Sequence, residues 1–264
     1  MLRNRLCFML IALTPVFLVL RTIRTTDMVS AATSNSIPIA SRIAQTAGDS
    51  EWLEGGGGVA ERMNWSGYVI QTSDHAVSQV HGSWIVPTVT CRGGDENSSV
   101  WLGIDGYHSN TIEQLGTEQD CRGKTAHYFA WYEMYPAGVI TLDLLVHAGD
   151  HIQANITYIE NNQFALELAN LSTGATFLTT ESSSNAQRSS AEWIVDAPGV
   201  LPLADVESAR FANSQATISG TTGTISSFSQ YTSINMVALT GAVKTQTFGL
   251  SKGGANFTVV WYRP

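Results

Sequence analysis

From residue 64 to the end, the chain repeats one pattern. Short runs rich in Val, Ile, Thr and aromatic residues alternate with clusters of Gly, Asn, Asp and Ser. Such runs read as β-strands bounded by turns. Examples are 67–71, 79–86, 99–104, 126–135, 140–146, 151–158, 164–170, 191–195 and 256–262. Several alternate with period two, as in ITLDLLVHAGD and HIQANITYI, which sends apolar and polar side chains to opposite faces. No helical periodicity of useful length interrupts them. The best helix candidate, 204–210 between Ala204 and Arg210, is short. Many short strands without intervening helices predict an all-β antiparallel sandwich or barrel, a single domain over 61–264.

The N-terminus has a different character. In MLRNRLCFMLIALTPVFLVL, Arg3 and Arg5 precede an apolar run from Leu6 to Leu20, and a small-residue site follows near Val29-Ser30-Ala31. This is the pattern of a signal peptide over 1–31, and it predicts secretion. Arg21 and Arg24 lie between the run and the site, so an uncleaved membrane anchor is the competing reading. The run is short for a spanning helix. Residues 32–60, rich in Ser and Ala and ending in Gly55 to Gly58, read as a propeptide or linker.

Composition narrows the function classes. Apolar residues make up 44% of the chain, charged residues 14%, and the formal net charge is −8. That is globular composition with a sparsely charged surface. Lys124, Lys244 and Lys252 are the only lysines, and no basic patch with interleaved aromatics exists, which argues against nucleic-acid binding. Loss of 1–31 would discard four of the 14 basic residues and one of the 22 acidic ones. An acidic, lysine-poor exported protein sheds self-repulsion at low pH, a pointer to an acidic working environment. Cys7 lies in the leader. Cys91 and Cys121 flank 101–116 and most simply pair in an exported domain. Two buried thiols are the alternative. His75, His81, His108, His127, His147 and His151 are scattered, and no Cys or His falls at ligand spacing, so neither a metal nor a cofactor is expected. A monomer is the expected state.

No G-x-S-x-G, H-E-x-x-H, P-loop or D-T-G segment occurs. With the cysteines paired, a thiol nucleophile is disfavoured. Carboxylates and amides on strands remain. Asp105 ends WLGID, Gln114 sits in IEQLG, and Glu133 lies within FAWYEMYP. Glu192 and Asp196 stand four residues apart in AEWIVDAP, hence on one strand face. Polar groups on such faces are costly to bury without a partner.

These segments resemble the glutamic peptidases, or eqolisins, across roughly 63–262. NWSGYVI is similar to the family's opening NW-[AG]-G strand, and VHGSWIVPTV to a second strand ending in Val-Pro. WLGIDG is close to W-V-G-I-D-G, IEQLG to L-Q-T-G, WYEMYP to W-Y-E-W-Y-P, NLSTG to N-L-T-T-G, and AEWIVD to A-E-W-I-V-E. The resemblance implies two packed, curved sheets of jelly-roll or concanavalin-like form. It also implies a secreted, pepstatin-insensitive acid endopeptidase acting on polypeptides. The family's pair is the Gln of L-Q-T-G and the last Glu of A-E-W-I-V-E, which maps to Gln114 and Asp196. The Asp is one methylene shorter, and Glu192 on the same face is the substitute. Asp105 and Glu133 would orient the pair, and Trp101 would line the cleft.

The chemistry is coherent. A carboxylate serves as base for water, and an uncharged amide donates to the developing oxyanion. Such a pair avoids the like-charge conflict of two carboxylates. Two other classes remain open: a catalytically impaired or noncatalytic peptide- or carbohydrate-binding sandwich, and a glycoside hydrolase using Asp105, Glu133 or Asp196.

Overall fold

A computed structural model describes residues 58–264. The expected signal peptide, and all of 32–60 except its last three residues, lie outside the described residues. Those three, Gly58 to Ala60, are not linker but the start of a strand. The strands are β1 (Gly58–Arg62), β2 (Trp65–Gln71), β3 (Val77–Ile85), β4 (Ser99–Ile104), β5 (Ile112–Arg122), β6 (Thr125–Tyr135), β7 (Ile140–Thr141) and β8 (His151–Tyr158). They continue with β9 (Gln163–Asn170), β10 (Ala175–Ser182), β11 (Ser190–Asp196), β12 (Ser208–Ile218), β13 (Thr221–Thr224), β14 (Tyr231–Val237), β15 (Val243–Thr247) and β16 (Phe257–Trp261). Among the described residues no helix is long and apolar enough to cross a membrane.

The fold is an antiparallel β-sandwich. Hydrogen-bonded order follows one continuous path, β7-β6-β5-β4-β11-β2-β14-β15-β16-β12-β3-β8-β9-β10, whose two halves form the first and second layers. β1 adds to β14 in parallel, and β13 hangs on β12. The principal core lies between the layers. Trp193, Leu102, Leu115 and Tyr68 from the first pack with Trp84, Ile152, Leu166 and Phe211 from the second. Two buried indoles tie the layers together. Trp193 Nε1 donates to the His81 carbonyl at 2.9 Å, and Trp84 Nε1 to Thr117 Oγ1 at 3.0 Å.

Burial follows position in the sheet. β8 and β9 alternate buried and exposed side chains, as strands with one wet face must. β2, β4 and β11 are buried on both faces almost throughout. Their second face carries a smaller cluster of Trp65, Val69, Trp101, Tyr107, Ile112, Trp131 and Ile194. This outer face of the first layer bears the polar residues singled out above.

Two expectations are corrected. Residues 204–210 form no helix: Asp205 bridges Thr90, and Ser208 to Arg210 pair with Val260 to Thr258 in β12. The run 140–146 is strand only at Ile140–Thr141. The Cys91–Cys121 disulfide is present, with 5.4 Å between Cα atoms.

Candidate active site

Backbone pairing sets the site. Across β2, β11, β4, β5 and β6, one row of register partners reads Val69, Glu192, Gly103, Gln114, Glu133. Partners in a row point to the same face, so Glu192 and Gln114 flank Gly103, which has no side chain. Their backbones are two strand spacings apart, roughly 10 Å. Space at 103 is tight. A Cβ there would lie 3.0 Å from the Trp101 ring and 3.3 Å from the Gln114 Cβ.

Gln114 Nε2 donates to Glu133 Oε2 at 2.6 Å. A carboxylate only accepts, so this bond orients the amide. Gln114 is buried, and its Oε1 has no hydrogen-bond partner. Glu192 is fully buried; its Oε1 accepts from Ser190 Oγ at 2.9 Å, and its Oε2 has no partner of good geometry. Burial pushes the Glu192 carboxyl well above the usual range, and the charge of Asp105 adds to the rise. The Ser190 hydroxyl, the Tyr107 backbone N–H and the Arg62 guanidinium oppose it. Two buried oxygens without a hydrogen-bond partner thus belong to side chains on either side of Gly103.

Asp105 supports the neighbouring strand rather than facing Gln114. Held at φ 67°, its carboxylate accepts from Arg188 N at 2.6 Å, Ser189 N at 2.8 Å and Ser189 Oγ at 3.0 Å. It thereby clamps the turn that delivers Ser190 and Glu192. Trp101 is fully buried, edge-on to Trp65 with ring centroids 5.0 Å apart.

The expected Gln114–Asp196 pair does not form. Asp196 belongs to another row, with Trp65, Ser99 and Glu118. Four residues along β11 and two strands across put its Cα about 16 Å from that of Gln114. Its Oδ1 accepts from Asn64 Nδ2 at 3.5 Å. Asp196 and Glu192 share a face, as their spacing implies, but the register assigns only Glu192 to the gap. No group of His, Cys, Asp and Glu among the described residues is arranged to hold a metal.

One buried acid escaped the sequence reading. Glu113 points from β5 into the opposite face, where Ser183 Oγ donates to its Oε1 at 2.7 Å. Burial raises its pKa to about 8, Ser183 and the Arg188 charge lower it, and Asp105 raises it further. Its position beside Gln114 in an alternating strand was the available signal.

The model of the peptidase A4 family matches residues 63–259. No curated protein matched the chain. Among solved structures, scytalido-glutamic peptidase bound to a transition-state analogue is similar, at TM-score 0.65 and 22% identity, covering 76% of this chain and 99% of that one. SCP-B, a member of the eqolisin family in complex with the tripeptide Ala-Ile-His, gives TM-score 0.61 and 22% identity over 76% and 99%. Aspergilloglutamic peptidase from Aspergillus niger gives TM-score 0.56 and 28% identity over 63% and 99%.

Proposed function

The chain belongs to the peptidase A4 family, and from that premise we propose that it is an acid endopeptidase whose catalytic pair is Gln114 and Glu192. The observation that carries this reading is the shared row in which both residues flank Gly103 with an oxygen unsatisfied. In this reading the reacting water lies between the two side chains, over Gly103. Ionised Glu192 takes its proton as the water oxygen attacks the peptide carbonyl carbon. An N–H of the Gln114 amide, turned by Glu133, donates to the oxyanion. The Glu192 proton then passes to the leaving amine as the C–N bond breaks, which restores the carboxylate. Because burial raises the Glu192 carboxyl, its ionised form gains population toward the upper end of the acid range, and activity should rise there rather than at the lowest pH.

The substrate is polypeptide in extended form. No cofactor takes part. The leader sequence and the Cys91–Cys121 bridge support an exported enzyme, working as a monomer. The noncatalytic alternative rested on Asp196 as a shortened base. With Glu192 in that role, the missing methylene no longer bears on catalysis.

Cleavage of a denatured protein across pH 2–7, with and without pepstatin, tests the proposal. Pepstatin-resistant activity at acid pH that disappears in both Gln114→Ala and Glu192→Gln is expected. Full activity in either variant would refute the pair.

A further inference from the structure

β1 stands just ahead of the segment that the family model matches, which begins at residue 63. It lies parallel on β14, with Ala60 opposite Ile234 and Arg62 opposite Met236. Ala60 is buried among Val69, Trp101, Ile194 and Ile234 on the site face. Arg62, two residues on, projects to that same face.

The Arg62 guanidinium sits over the Tyr107 ring, 4.9 Å from its centroid, and donates to the Tyr107 carbonyl at 3.4 Å. Tyr107 is buried, and its backbone N–H approaches the Glu192 carboxyl, favouring the ionised form. One cation thus holds both the ring and the carbonyl of the residue whose amide reaches Glu192. We propose that Arg62 is a positioning residue for Glu192, acting through Tyr107 to hold the carboxyl beside the gap over Gly103.

This role rests on the reading of Glu192 as the base. The groups facing Glu192 are Ser190 on its own strand, Asp105 and Tyr107 after β4, Gln114 and Glu133 across Gly103, and Arg62 from β1. Of the charges acting on Glu192, Asp105 disfavours the ionised form and Arg62 favours it. The interaction is mutual: the Glu192 charge favours protonated Arg62, against the larger effect of its burial. Loss of the Arg62 charge therefore makes Glu192 harder to ionise.

The test is the pH dependence of kcat/KM for the full chain and its Arg62→Gln and Arg62→Lys variants. The acid limb reports ionisation of the free enzyme's base. It should move to higher pH in Arg62→Gln and return toward wild type in Arg62→Lys. A lower rate with an unmoved limb would mean a merely structural role and would overturn the proposal. Carbon-13 titration of the Glu192 carboxyl by NMR reads the same quantity without turnover, should Arg62→Gln be too slow to assay. N-terminal sequencing of the active species supplies an independent arm: an active form that begins after Arg62 would also overturn it. Glu192→Gln separates the two readings. If that variant stays active, the base assignment has failed. If it is dead while the Arg62→Gln limb stays fixed, only the role of Arg62 has failed.

Discussion

Gln114 and Glu192 are second neighbours across the sheet, separated by one glycine and held in a single row by the pairing of β5, β4 and β11. Asp196 lies on the same face of β11 but in the row of Ser99 and Glu118. Removal of Glu192 and removal of Asp196 should therefore have very different effects. Glu192→Gln is expected to lower kcat/KM by about 10³-fold or more, in line with loss of a general base. Asp196→Ala should stay within about tenfold of wild type, because a neighbouring group affects positioning rather than proton transfer. Steady-state hydrolysis of a fluorogenic peptide at acid pH reads both. Equal losses would mean that the register does not decide the base.

Gly103 should be sensitive for the same reason. An added methyl would meet the Trp101 ring at 3.0 Å and the Gln114 Cβ at 3.3 Å, inside the gap itself. Gly103→Ala is expected to lose on the order of 10²-fold in kcat, the penalty of a displacement near 1 Å. The stability cost should be about 1–3 kcal/mol, as for other overpacked sites. Kinetics and urea denaturation of one preparation separate the two effects. A variant with unaltered kcat would show that no reacting atom occupies the space over residue 103.

How far this molecule was legible in its sequence depends on which face was being read. β4 and β8 were evident from Ser99 to Ile104 and from His151 to Tyr158, where apolar residues dominate or alternate. β5 was not. Its run IEQLGTEQDCR looks like a polar loop, yet all but its last residue are buried. Its polar side chains are held by partners on other segments: Glu113 by Ser183, Gln114 by Glu133, Thr117 by Trp84, and Gln119 by the Ser98 carbonyl, although Glu113 Oε2 and Gln114 Oε1 find none. Hydrophobic patterning has no means of seeing a strand that is stabilised in this way. The site shows the same limit. Period two places Glu192 and Asp196 on one face but does not say which row faces Gln114. That distinction exists only in the pairing of β11 with β4.

Asp105 illustrates support from outside the gap. Its carboxylate takes two backbone N–H groups and one hydroxyl from Arg188 and Ser189, and Thr111 Oγ1 approaches at 3.4 Å. Asp105→Ala leaves those donors without an acceptor, at a cost of about 3 kcal/mol. The turn then relaxes, and Ser190 and Glu192 move with it, so kcat should fall as well. Asp105→Asn keeps one acceptor oxygen and should lose roughly half as much stability. Urea unfolding midpoints measure both variants. A silent Asp105→Ala would mean that the turn is held by its other contacts, such as Arg188 Nη1 on the Val77 carbonyl at 2.9 Å.

Glu113 makes the fold sensitive to rising pH. Its carboxyl faces Ser183, Asp105 and Arg188, and it stays protonated in the native state up to about pH 8. In the unfolded chain the same group releases its proton near its model value of 4.5. Between those values the native state binds more protons than the unfolded state, so stability falls as pH rises, at roughly 1.4 kcal/mol per pH unit per group. Full stability is present below about pH 4.5 and is lost progressively toward about pH 8. Glu192, raised in the same direction, adds to the slope. Glu113→Gln keeps a group able to accept from Ser183 but has no proton to release. Its melting temperature, measured from pH 4 to pH 9, should decline less steeply than wild type. The two curves should diverge most near pH 8. Parallel curves would mean that Glu113 is not the group whose ionisation weakens the fold, and Glu192→Gln in the same experiment would then show whether the slope belongs to the active-site carboxyl.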